Sequence, residues 1–191
     1  MKSVDSNQAT MASNDELIDS LSEQLNKTMV SGLLLVPTSG SPEGTLPFSW
    51  DDTKNYLQEY CEAGNDCVSD EFDLDCTHFV CHGLEKSKVK VNNPEATCDS
   101  DLCVRVSELA AAFKNSVDKY SNVSRITKFS DTKEGDFCFI VSWFGLSKDH
   151  AMVLSDRATS KSGKVWGHTN NRCGRREVNW EGQSLVIYRI T

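Results

Sequence analysis

Residues 135–168 read GDFCFIVSWFGLSKDHAMVLSDRATSKSGKVWGH, and this stretch decides the fold. Its apolar runs are short, rich in Val, Phe and Trp, and separated by polar segments, which is the texture of strands joined by turns. Asp136–Trp143 predicts one strand, His150–Leu154 a second and Lys164–His168 a third. Ser124–Phe129 before them and Ser184–Ile190 after them have the same character, while Asp156–Gly163 and Asn170–Gly174 read as turns.

Upstream the period changes from two to nearly four. Ser49 is placed to cap a helix starting at Trp50, with Asp51 and Asp52 where the helix dipole favours carboxylates and Tyr56, Leu57 and Tyr60 on one face. A short helix opens at Cys76 and ends near Gly83, and a longer one over residues 101–117 carries Leu102, Val106, Leu109, Ala110 and Phe113. Helices followed by antiparallel strands make an α+β domain over residues 48–191. Residues 1–47 form an extension: a polar start, an amphipathic helix with Leu17, Ile18, Leu21 and Leu25 on one face, then a Pro/Gly/Ser linker over residues 37–47.

The chain has 191 residues and a net charge of -8, so it lacks the basic surplus a nucleic-acid-binding face needs. No apolar run is long enough for a membrane span, and Gly32–Val36 is too short and too far in for a signal-peptide core. Eight cysteines suit an oxidising, extracytoplasmic setting, with Cys61/Cys67 and Cys98/Cys103 as the expected local couples. Their spacings are looser than paired zinc clips. His78 and His82 have the spacing of a helical zinc motif but lack its glutamate, so neither a metal nor any other cofactor is expected.

A thiol nucleophile needs a lowered pKa, a nearby imidazole and donors aimed at the oxyanion. Cys76 begins a helix, where backbone N–H groups point outward with positive potential and lower a thiol pKa. His150 opens a strand and is the expected base. If the strands bearing His150 and His168 form a hairpin, the two imidazoles lie side by side on one face, and His168 fixes the His150 tautomer. Asn170 is the rival for that orienting role. His78 lies at a position turned away from Cys76 and His82 too far along the axis, so both read as structural or surface residues.

Asp75-Cys76-Thr77-His78-Phe79-Val80 resembles the D-C-[ST]-x-F-[VA] nucleophile motif of NlpC/P60 and CHAP-type cysteine peptidases, and more closely the D-C-T-N-F-V of bacterial amidase-like domains. Gly135-Asp136-Phe137 resembles their G-D-[LI], Asp149-His150-Ala151-Met152-Val153 their D-H-V-A-I, and residues 167–172 their A-H-T-N-D-R, all in the family's order. The resemblance implies a papain-like core, a nucleophile helix packed on an antiparallel sheet. It implies Cys76 as nucleophile, His150 as general base, and His168 or, as in the CHAP branch, Asn170 as the polar third residue. The implied substrate is an amide bond of bacterial peptidoglycan peptides. Type VI secretion amidase effectors share this core, which adds a toxin-like role, delivery outside the cytoplasm, and an inhibitor or immunity protein as partner. The chain departs from the pattern at His78, and residues 85–121 form an insertion without counterpart. A catalytically inactive module that binds peptides or a partner is the alternative, and an acyltransferase using the same two residues is a third.

Overall fold

The computed structural model describes residues 32–40, 44–62, 75–98, 101–141, 149–168 and 172–191. The expected helix around Leu17, Leu21 and Leu25 lies outside them. Among the described residues the protein is a mixed α+β fold. Its helices are α1 (Trp50–Tyr60), α2 (Cys76–Lys86) and α3 (Val106–Val117). Its strands are β1 (Leu35–Pro37), β2 (Val89–Val91), β3 (Thr97–Cys98), β4 (Leu102–Cys103), β5 (Val123–Ile126), β6 (Phe137–Val141), β7 (His150–Leu154), β8 (Ser162–Gly167), β9 (Arg172–Asn179) and β10 (Ser184–Ile190). None of the described helices is long and apolar enough to cross a membrane.

Six strands form one antiparallel sheet in the order β5-β10-β6-β7-β8-β9. Alternation along each strand sorts side chains onto two faces. Phe137, Phe139, Ala151, Val153, Trp166, Val186 and Tyr188 join the larger core, shared with the helices. Cys138, Ile140, Met152, Leu154, Val165, Leu185 and Ile187 form a second core with Ala158, Val178 and Trp180. Phe113 of α3 seats that helix on the sheet, its ring 4.9 Å from Phe137, 5.4 Å from Phe139 and 5.7 Å from Tyr188.

Helix α1 starts as its sequence dictates, the Ser49 hydroxyl accepting from the Asp52 N–H at 3.3 Å. Helix α2 runs to Lys86, past the expected stop at Gly83. That glycine is a packing residue, because a Cβ there would meet Thr53 at 3.3 Å and Leu57 at 3.4 Å on α1. Its carbonyl instead accepts from the Thr53 hydroxyl at 3.0 Å.

Three further departures from the sequence reading have identifiable reasons. The helix expected from residue 101 begins at Val106, because Leu102–Cys103 pairs with Thr97–Cys98 in a small hairpin and Asp101 sits at φ 59°. Strand β9 was expected as a turn in its first residues and is otherwise unforeseen. It is an edge strand whose exposed Arg175, Arg176 and Glu177 hide the period, as charged edges do. The core also reaches into the expected extension: Leu33, Leu35 and Leu46 are buried in it, and β1 pairs with β2.

Gly135-Asp136 has a structural explanation. Gly135 turns at φ 90° beneath Trp50, where a Cβ would lie 3.1 Å from the indole. The fully buried Asp136 carboxylate accepts from Arg189 at 2.6 and 2.8 Å and from the Lys133 N–H at 2.9 Å. This joins the start of β6 to the end of β10 with charge-assisted bonds. Asp136→Ala is expected to destabilise the protein by about 2–4 kcal/mol, because it strands the Arg189 guanidinium and a buried N–H. Urea unfolding of the variant and the parent checks this.

Candidate active site

Cys76 is the first residue of α2, and Asp75 is its N-cap. The Asp75 carboxylate does not cap its own helix, because it is committed elsewhere: Oδ2 lies 2.6 Å from Nδ1 of His168. The other His168 ring nitrogen, Nε2, lies 2.6 Å from the carbonyl oxygen of Tyr60, at the end of α1. The imidazole also stacks on Phe79 of α2, with ring centroids 4.0 Å apart and planes 18° from parallel. Both members of the ion pair are buried, their side chains 3% and 2% exposed. One residue past β8, His168 therefore joins α1, α2 and the sheet at a single point.

A covalent tie runs beside this polar one. Cys61, directly after Tyr60, forms a disulfide with Cys173 of β9, closing a sequence separation of 112 residues. Cys98 is also disulfide-bonded, and Cys103 is a free, buried thiol. Neither expected local couple forms: Cys61 pairs with Cys173 rather than Cys67, and Cys103 does not pair with Cys98. Sequence proximity was the wrong guide because the sheet brings β9 against the end of α1.

The Cys76 sulfur meets β7 one residue after His150. The backbone of Ala151 and of Thr77 lies close enough to favour its thiolate, and the Thr77 hydroxyl is 4.0 Å away. Burial opposes them and wins, leaving the thiol above its ordinary pKa, with the Asp75 charge pushing the same way. The helix start was expected to lower this pKa; a residue only 3% exposed and packed in the larger core reverses the sign.

His150 is half-buried and paired with Ile140 of β6, and its Nδ1 is shielded from solvent. The expected side-by-side imidazoles do not follow from the register. Val153 pairs with Trp166, which brings residue 168 level with Ala151 and puts the two histidines one step out of phase. His168, with its ring nitrogens on Asp75 and Tyr60, is not placed to orient His150 through them. Asn170 lies outside the described residues.

His78 is buried and packs edge-on to His82 at 4.4 Å. His82 lies 3.5 Å from Glu85 and 5.5 Å from the Tyr56 ring. Among the described residues no group of three His, Cys, Asp or Glu side chains is arranged to hold a metal ion. The sequence assigns Asp75 no part in the thiol chemistry and gives no sign of the Tyr60 carbonyl. An acid next to the cysteine in the quoted motif was the available signal for the first; a backbone carbonyl leaves none.

The raised Cys76 thiol has a direct consequence. At pH 7 iodoacetamide should modify Cys76 more slowly than an exposed cysteine, with the rate climbing as pH rises past the ordinary thiol value of 9.0. Peptide mass mapping, which separates Cys76 from the free Cys81, Cys103 and Cys138, checks this.

No family model, curated protein or solved structure matches this chain.

Proposed function

We propose that the protein is a cysteine amidase or endopeptidase with a papain-like core, acting on amide bonds of bacterial peptidoglycan peptides. The observation that carries this reading is the meeting of Cys76, at the first turn of α2, with the start of β7. There the backbone of Ala151, the residue immediately after His150, favours negative charge on the sulfur. A thiol at a helix start, close to a strand that a histidine opens, supplies the nucleophile and the base that thiol acyl transfer needs.

The raised thiol selects the form of the mechanism. Cys76 rests as a thiol, and His150 removes its proton as the sulfur attacks the substrate carbonyl, which requires the ring, paired with Ile140 of the second core, to swing around the end of β7 toward α2. A carbon–sulfur bond forms while helix-start N–H groups hold the oxyanion. Protonated His150 then gives that proton to the leaving amine as the carbon–nitrogen bond breaks. In the second half, neutral His150 takes a proton from water, the hydroxide displaces the sulfur, and the thiol is restored. Because His168 is engaged by Asp75 and Tyr60, Asn170 is the better of the two proposed orienting residues.

The disulfides support an extracytoplasmic working place, where such bonds persist. Delivery as a secreted toxin, with an inhibitor or immunity protein as its partner, completes the reading. A second reading draws on a different observation: a sulfur in a residue 3% exposed suits a module that binds peptides without cleaving them.

Turnover separates these readings. Incubation of the protein with purified sacculi should release peptides detectable by mass, and Cys76→Ala and His150→Ala should each reduce the release by at least about a thousandfold while keeping the native circular dichroism. Release by Cys76→Ala at the parental rate would refute the thiol mechanism. Peptide binding without release by the parent protein would establish the binding module.

A further inference from the structure

We infer that His168 is a fixed imidazolium, a positioning residue whose positive charge offsets the Asp75 carboxylate beside the Cys76 sulfur. The argument is one of hydrogen-bond stoichiometry. A neutral imidazole offers one donor and one acceptor. His168 presents Nδ1 to a carboxylate oxygen and Nε2 to a peptide carbonyl oxygen, each at 2.6 Å. An ionised carboxylate and a carbonyl only accept, so with a neutral ring one contact would set lone pair against lone pair. Two protons, one on each nitrogen, satisfy both. The short distances are those of charge-assisted bonds.

The surroundings hold that state in place. Phe79 of α2 stacks against the ring, Asp75 supplies the compensating negative charge from the start of the same helix, and α1 contributes the Tyr60 carbonyl. The Cys61–Cys173 disulfide, next in sequence to Tyr60, ties the end of α1 to β9 without adding charge. A doubly protonated ring has no lone pair, so it neither accepts a proton nor orients another imidazole by accepting from it.

Its reach to the sulfur is electrostatic. Asp75 precedes Cys76, and its negative charge disfavours the thiolate. A cation 2.6 Å from that carboxylate cancels much of the field. The imidazolium assignment stands independently of catalysis; only its effect on the nucleophile rests on the proposed function.

Two measurements on the full chain test this. In long-range 15N–1H spectra, both His168 ring nitrogens should keep the shifts of protonated nitrogen from about pH 5.5 to 8.5, a window in which an unperturbed histidine titrates. Through-space contacts to Phe79 identify the signals among the four histidines. A lone-pair shift on either nitrogen at pH 7 overturns the assignment, and this result needs no variant to fold. In the second measurement, His168→Gln should slow iodoacetamide labelling of Cys76 at pH 7 by about tenfold, because the carboxylate is left uncompensated. Adding Asp75→Asn to that variant should restore labelling to within about twofold of the parent. Equal or greater slowing in the double variant would make the pair merely structural. Sacculus digestion by Cys76→Ala tests the nucleophile separately, so failure of the positioning role and failure of the proposed function give different results.

Discussion

The architecture of the site depends on one constraint: a buried imidazole whose two nitrogens must both be satisfied. Isolating a charge from water costs several kcal/mol unless partners replace the lost hydration. His168 finds those partners 93 and 108 residues away in sequence, on Asp75 and Tyr60. Removing either partner leaves a polar group stranded in the interior, so the end of α1, the beginning of α2 and the end of β8 are held to one geometry. Phe79 closes the stack and excludes solvent from the pair. The position of Cys76 follows, since it is the next residue after the carboxylate.

Around the sulfur two effects of opposite sign compete. The backbone at the helix start and at Ala151 favours negative charge, and burial disfavours it. Burial dominates, leaving a protonated, shielded thiol. Such a residue is protected from adventitious oxidation, because the thiolate is the reactive form. In the proposed mechanism its activation is coupled to proton removal during attack, the task assigned there to the histidine opening β7.

The remaining framework supplies rigidity where the ion pair alone would not. The Cys61–Cys173 disulfide removes freedom from the unfolded chain over a long loop and anchors the polar edge strand β9 to α1. On the opposite side of the sheet, Arg189 and Asp136 tie the last strand to the turn before β6. Gly135 and Gly83 permit close approach, one beneath an indole and the other between two helices. Both glycines sit where a side chain would push packed elements apart.

The fold class and most of the elements can be read from the order of residues. The periods around Trp50, Cys76 and residues 101–117 announced helices, and the apolar runs at 136–143, 150–154 and 184–190 announced strands, because burial on one face leaves its spacing in the chain. The sequence also singled out Cys76, His150 and His168 as the side chains with chemistry to offer. Only the tertiary structure decided what surrounds them. Strand register put His168 out of phase with His150, helix packing buried the sulfur, and the approach of β9 to the end of α1 brought Cys173 rather than Cys67 to Cys61. Each of these depends on which distant group arrives at a given point, and hydrogen-bond partners, burial and disulfide reach are properties of that meeting. A periodic pattern records which face of an element is covered, but not by what.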